Sequence, residues 1–328
     1  MLIVLPSSSY RVADFVAAAE LLRAETVIAT NAVHAMAGDM AYPLVRIDPR
    51  DPEWSAGRIV EFAQRFPLDA VVAADEEGVV MAAVAARELG LPHNPPEAVR
   101  VTRDKAAMRQ VFADAALPQP LFRVIGADDD PVAACSEVGF PCVVKPVSLS
   151  ASRGVIRVDG IAEVADTVAR IRTITAEAGR DPSEPILAES FVPGTEVALE
   201  GLLVDGHLEV LALFDKPDPM NGPYFEETIL VTPSRLAHDV QDEIAAISRA
   251  AADALGLVQG PIHAEARVDG SRVWLLEVAA RSIGGLCGRT LRFGLLGTSL
   301  ETMLLRSALG YRGVLAKRQS PASGVMML

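Results

Sequence analysis

The most restrictive stretch of the chain runs from Gly260 to Arg289, GPIHAEARVDGSRVWLLEVAARSIGGLCGR. Pro261 to Val268 alternates apolar and polar residues, the period of a half-buried strand, and Arg272 to Ala280 runs back after an Asp-Gly turn. Glu265 and Glu277 each stand inside one of these strands, where a carboxylate is expensive to desolvate unless a cation meets it. One sheet face carrying both, followed by Arg281 and Gly284-Gly285, can seat a divalent cation and a phosphorylated ligand. Taken alone, the same hairpin also reads as a solvated sheet face. Parity bears on this. A two-residue Asp269-Gly270 turn would put Glu265 and Glu277 on opposite faces. A shared site therefore predicts a three-residue loop. Val268-Asp269-Gly270 would pair Glu265 with Val273, and Asp269-Gly270-Ser271 would pair Glu265 with Leu275. The second is the expectation, because Glu277 is then a diagonal neighbour.

The chain has 328 residues, half of them hydrophobic, enough for two or three domains with an ample core. A formal net charge of −13 opposes binding to nucleic acid or an anionic membrane, so an anionic substrate would need a local cluster of Lys and Arg. Cys135, Cys142 and Cys287 have no metal-ligand spacing and read as reduced thiols of a cytoplasmic protein. The opening MLIVLP lacks the basic flank of a signal peptide, and no stretch approaches the ~20 apolar residues of a membrane span.

Up to Asn94-Pro95-Pro96, short apolar strands alternate with helices, which predicts a parallel, Rossmann-like domain. The first strand is followed by Pro6 and Ser7 to Ser9 rather than GxGxxG, so no dinucleotide site is expected there. Asp75 and Glu76 close the fourth strand, at the end where ligands gather. Beyond the boundary, Thr102 offers an N-cap and Lys105 falls in the first helical turn, a position that favours a nearby anion. Lys145 ends the apolar run PCVVKP and needs an anionic partner if buried. Ser148 to Gly154, SLSASRG, lies between two strands and can wrap phosphates with hydroxyls and backbone N–H groups. Asp205-Gly206 predicts a hairpin, and Asp215 to Tyr224 a Pro- and Gly-rich loop of functional length. An apolar, strand-like run occupies Gly324 to Leu328.

Taken in order, RDK (Arg103 to Lys105), VVKP (Val143 to Pro146), SLSASRGV (Ser148 to Val155), AESFVPGTEVALE (Ala188 to Glu200), HAE (His263 to Glu265) and LLEVAAR (Leu275 to Arg281) resemble the ATP-grasp superfamily. Within it, the chain is similar to carboxylate–amine ligases of the L-amino-acid α-ligase type. The resemblance implies an α/β ATP-grasp fold that becomes α+β in its C-terminal part. Residues 1–96 would form the N-terminal Rossmann-like domain, 97–188 the small subdomain, and 189–328 a large antiparallel-sheet subdomain. Relatives of this type continue further, so the last part looks truncated.

The cofactors implied are ATP and Mg²⁺, with Mn²⁺ as an alternative. Lys105 and Lys145 would contact the phosphates, and Ser148, Ser150, Ser152 and Gly154 would close over them. Glu189, Ser190, Phe191 and Val192 would form the adenine hinge, and Glu196 would accept from the ribose. Glu265 and Glu277 would hold the metal. Arg281, Lys145 and Arg153 are the implied catalytic cations, Arg281 holding the substrate carboxylate. Ala279 stands where many members have an Asn, which implies a second Mg²⁺ that is either held by Glu277 and phosphates alone or bound more weakly. The implied reaction joins a small-molecule carboxylate to an amine through an acyl phosphate, releasing ADP and phosphate. The implied setting is the cytoplasm, without nucleic acid or membrane, and a homodimer is compatible with it. A biotin-carboxylase-like or purine-pathway enzyme acting on a small carboxylate is one alternative. A nucleotide-binding regulatory protein without turnover is another.

Overall fold

The structure is a computed structural model and describes residues 1–31, 42–311 and 316–327. Its first sheet is four-stranded, with β1 (Leu2–Val4), β2 (Val27–Thr30), β3 (Leu44–Arg46) and β4 (Val71–Ala73) in the order β3-β2-β1-β4, all parallel. Helix α1 (Val12–Leu21) connects β1 to β2, α2 (Pro52–Ala63) connects β3 to β4, and α3 (Val79–Glu88) follows β4. β1 is buried throughout because both faces are covered, the condition of a parallel sheet. Leu2 and Val4 face a core with Ile59 and Met81, whereas Ile3 and Leu5 face Phe15 and the C-terminal part of the chain.

Next come α4 (Pro96–Thr102) and α5 (Lys105–Asp114). The expected cap, Thr102, instead ends α4, its hydroxyl donating to Val99 O. Asp104 caps α5, accepting from the N–H groups of Ala106 and Ala107. The second sheet holds β5 (Phe122–Ile125), β6 (Cys142–Pro146), β7 (Ile156–Val158) and β8 (Ile186–Ser190) in the antiparallel order β5-β8-β6-β7. Helices α6 (Pro131–Val138) and α7 (Ile161–Glu177) cover its apolar face.

The third sheet is six-stranded and antiparallel. It contains β9 (Thr195–Val204), β10 (His207–Lys216), β11 (Ile229–Thr232), β12 (Gly260–Asp269) and β13 (Arg272–Ala279), and runs β13-β12-β9-β10-β11 before ending on a last strand, Ser323–Met326. That strand covers Gly324 to Met326 of the predicted C-terminal run, Met327 lies just beyond it, and Leu328 lies outside the described residues. Asp205 and Gly206 both take positive φ (51° and 81°), the two-residue turn their sequence predicts. Helix α8 (His238–Leu255) covers one face of this sheet. A two-stranded ribbon of β14 (Arg292–Phe293) and β15 (Thr298–Ser299) leads into α9 (Leu300–Ala308), which packs Leu300, Met303 and Leu304 into the core beneath the first sheet.

The hairpin of β12 and β13 corrects the loop prediction. Asp269 pairs with Arg272, so the loop is Gly270-Ser271 and even-numbered. That register continues through Val268↔Val273 and Ala266↔Leu275 and would leave Glu265 and Glu277 on opposite faces. A β-bulge at Leu276 then takes up one residue, and Glu265 pairs directly with Glu277. The extra residue that parity demanded sits inside the strand, not in the turn.

Candidate active site

A cavity of about 510 Å³ opens where the three sheets meet. It is lined by Glu76 after β4, Lys105 at the start of α5, Lys145 on β6, Glu189 to Val192 at the end of β8 and just beyond it, and Glu265, Glu277 and Arg281 from the hairpin and its exit. Lys145 is buried, and its Nζ meets Glu189 Oε2 at 2.7 Å. Burial disfavours the charged ammonium and lowers its pKa, with Glu189 opposing that shift. Burial alone would raise Glu189, but Arg109 (Nε to Oε1, 2.5 Å) and Lys145 outweigh it and bring that carboxyl down to about 2. Lys105 Nζ donates to Leu149 O at 2.7 Å and stands 3.3 Å from Glu277 Oε2. That lysine therefore ties the SLSASRG loop to the hairpin.

Lys216 falls in the stretch whose Pro and Gly content predicts a loop. It ends β10 with a side chain only 2% exposed, and its Nζ meets Glu196 at 2.7 Å, Glu265 at 3.0 Å and Glu227. Those three carboxylates present ligand oxygens within 4.8 Å of one another. Burial would lower Lys216, yet the surrounding carboxylates hold its pKa well above the ordinary value. Burial also pushes Glu265 up, but Lys216 and His263 hold it well below the usual range; Glu227 is raised by burial and by the Glu265 charge. His263 Nε2 lies 3.4 Å from Glu265, and its Nδ1 lies 3.7 Å from the fully buried Glu200. Glu200 also accepts from Ile283 N at 2.8 Å, which anchors the segment after Arg281.

The chain after β8 has a second support. Phe191 is held between two guanidiniums, Arg157 at 4.5 Å and Arg267 at 5.3 Å from the ring centroid. Buried Arg267 donates to Val192 O (2.6 Å) and to Met220 O, and its Nε lies 3.4 Å from Glu196. Arg157 donates to Asn221 O (2.8 Å) and, through its backbone, to Pro223 O (2.9 Å). The same pair of arginines thus braces Phe191 and the Pro217–Glu227 loop.

Among the predicted site residues, Lys105, Lys145, Ser150, Ser152, Glu189, Ser190, Phe191, Val192, Glu196, Glu265, Glu277 and Arg281 come together around the cavity. Ser148, Arg153 and Gly154 do not line it. The Ser148 hydroxyl donates to Glu184, and Arg153 is exposed and turned back toward Ser150 O. Gly154 has φ +74° and lies against the Pro146 ring, a position that favours glycine on backbone grounds. Arg281 pairs with Glu76, which also accepts from Arg103 at 2.7 Å. Burial opposes that carboxylate's charge, but the two arginines bring it to about 2.

Arg109, Lys216 and Arg267 escaped the sequence reading, though two of them carried a signal. Lys216 ends the apolar strand LALFDK just as Lys145 ends PCVVK, and Arg267 shares its strand face with His263 and Glu265. Arg109 lies between Met108 and Phe112 on a helix and carries no comparable signal.

Comparison with known proteins agrees with this geometry. Residues 138–290 match the ATP-grasp domain and residues 16–93 the ATP-grasp N-terminal domain. The chain belongs to the ATP-grasp family. It is similar to the alanine–anticapsin ligase of Bacillus subtilis, at 30% identity over 244 residues, covering 69% of this chain and 51% of that protein. The chain thus spans about half the length of that curated relative. An L-amino acid ligase from Bacillus licheniformis superposes with a TM-score of 0.75 at 27% identity, covering 94% of this ATP-grasp chain and 74% of the other. An N5-carboxyaminoimidazole ribonucleotide synthetase from Thermus thermophilus, 20% identical with a TM-score of 0.74 over 99% of this chain and 82% of its own, shares the fold. No helix among the described residues is long and apolar enough to cross a membrane.

Proposed function

We propose that this protein is an ATP-dependent carboxylate–amine ligase that works through an acyl phosphate and releases ADP and orthophosphate. The observation that carries the reading is the cavity itself: Lys105, Lys145 and Arg281 line it together with a pair of directly opposed carboxylates, Glu265 and Glu277, and Lys216 meets Glu265 from outside that lining. Three cations around one space suit a triphosphate and a carboxylate, which would otherwise repel each other. The similarity to amino-acid-joining ligases supports the same reading.

On this reading Glu189 to Val192 border the adenine, Glu196 accepts from the ribose, and Lys105 and Lys145 neutralise the phosphates. Ser150 and Ser152 stand ready to donate to the β- and γ-phosphates, and Ser148, Arg153 and Gly154 contribute if the loop turns inward. Glu265 and Glu277 fit a Mg²⁺ ion. They are hard oxygen donors on one face, about a quarter exposed toward the cavity, with Lys105 against Glu277 and Lys216 and His263 against Glu265. When bound, the ion would screen the triphosphate charge. Ala279, buried opposite His263, supplies no further ligand.

Arg281 orients the substrate carboxylate, whose oxygen attacks the γ-phosphorus as the bond to ADP breaks. The amine nitrogen then attacks the acyl carbon, the C–O bond to phosphate breaks, and the amine gives up its proton. Glu76 keeps Arg281 aimed, and the loops at 148–154 and 217–227 keep water from the acyl phosphate. The test is ADP and phosphate release from Mg²⁺-ATP against pooled amino acids, with the product identified by mass. Stoichiometric AMP and pyrophosphate would place the protein in an adenylating class instead.

A further inference from the structure

A second and larger cleft, about 1290 Å³, adjoins the nucleotide cavity. All four strands of the first sheet send their carboxyl ends to it: Ser7 and Ser8 after β1, Asn31 after β2, Arg46 to Asp51 from β3, and Glu76 and Glu77 after β4. Open parallel sheets bind ligands at this edge, in the crevice where strand order reverses. Here that point lies between β1 and β4, where the Ser8 hydroxyl donates to Glu77 Oε2 at 3.0 Å. The opposite wall is Ser148 and Ala178 to Arg180, from the lobe of the second sheet.

The charges of this cleft are sorted along its length. Ser8, Glu76 and Glu77 line both it and the nucleotide cavity; Glu76 is paired with Arg281 and with Arg103, which also lines the cleft, so Glu77 is the acid without a cation at the inner end. Arg46, Arg50 and Arg180 line only the outer cleft, and none of them meets a carboxylate among the described residues. Arg50 reaches across to the far wall, its guanidinium 3.6 Å from where a Cβ on Gly179 would stand. The acids beside these arginines are turned to the backbone: Asp48 accepts from Arg50 N and Asp51 from Trp54 N. In a chain of net charge −13, three unmatched arginines facing one cleft form a local exception.

We propose that this cleft holds the acceptor amine, and that the acceptor carries an anionic group, carboxylate or phosphate, remote from its reacting nitrogen. The inference rests on the ligase reading and gives it a substrate class. Glu77 at the inner end attracts the ammonium toward the acyl carbon, while Arg46, Arg50 and Arg180 hold the anion outside. A neutral amine would satisfy the inner half alone.

The test is calorimetric titration of the whole chain with O-phospho-L-serine, L-glutamate and L-alanine, with and without Mg²⁺-ADP. Exposed charged contacts are each worth a few-fold, so two or three predict about tenfold tighter binding of the anionic amines than of L-alanine. The phosphate and carboxylate arms tell which anion the arginines prefer. The preference should fade at high salt and in R50A/R180A, while ADP affinity stays the same. Equal affinity for the three amines, or a preference that survives R50A/R180A, overturns the proposal. Failure of ADP to bind, with the amine preference intact, instead removes the ligase reading and leaves the cleft as an anionic-amine site.

Discussion

Replacing Lys216 with Met keeps the length and apolar stem of the side chain and removes only its charge. The ammonium is 2% exposed and touches Glu196, Glu227 and Glu265, so the variant buries carboxylates that have lost their shared cation. Removing one partner of a buried pair typically destabilises by about 3–5 kcal/mol. Glu196 retains Arg267 at 3.4 Å and Glu265 retains His263 at 3.4 Å, which points to the lower half of that range. Urea denaturation supplies the measurement.

The loss should depend on pH. Lys216 and His263 hold Glu265 well below its ordinary value against burial, so the wild type keeps that contribution at neutral pH and loses it as pH falls through the folded value. In Lys216→Met the depressing cation is gone, and burial, which already raises Glu227, raises the cluster further. Glu227 and Glu265 of the variant then take up protons at higher pH than in the wild type, relieving their repulsion, and the gap to wild type narrows as the pH falls from neutral. Mn²⁺ should rescue the variant at neutral pH, since three ligand oxygens lie within 4.8 Å of one another; saturation at ~100-fold over Kd restores about 2.7 kcal/mol. A deficit below ~1 kcal/mol, indifferent to pH and to Mn²⁺, would refute the reasoning.

Lys145→Ala should weaken ATP binding by ~2 kcal/mol or more, read by calorimetry, because a buried charge-assisted contact is lost; an unchanged Kd removes Lys145 from the nucleotide site. Arg267→Met should raise the KM for ATP by about tenfold and increase hydrogen exchange at 219–224, because one guanidinium holds both Val192 O and Met220 O. Arg267→Lys, with its charge but not its fork, should recover only part of either effect.

Much of the fold was legible because its signals are local. Alternating strands and helices mark the parallel sheet, and Asp205-Gly206 marks its hairpin through the two positive φ values it needs. The family was legible because short motifs occur in one order, although each is weak alone. What was not legible is what the chain does between distant segments. Nothing near Glu227 in sequence says that it will share Lys216 with Glu196 and Glu265. The helix-cap expectation failed for a simpler reason: Thr102 and Asp104 are both capping residues two positions apart, and Asp104 takes the extended backbone.

The hairpin shows the same limit most sharply, and it can be tested. Parity required one extra residue between Glu265 and Glu277, and turn chemistry supplied no reason to look anywhere but the loop. The bulge at Leu276 is stabilised from outside the hairpin. Arg109, fully buried, donates to Leu276 O at 2.6 Å and to Leu275 O at 3.4 Å while its Nε holds Glu189. Carbonyls that a bulge removes from the ladder need such a partner when buried. Arg109→Met should therefore cost about 3–5 kcal/mol, stranding both Glu189 and the bulge carbonyls. Arg109→Lys keeps a cation for Glu189 but cannot fork to the carbonyls, and should cost about 1–3 kcal/mol. Urea midpoints separate the two contributions. Were Lys at this position as stable as Arg, the bulge would owe nothing to Arg109, and the opposition of Glu265 and Glu277 would have to arise within the strands themselves.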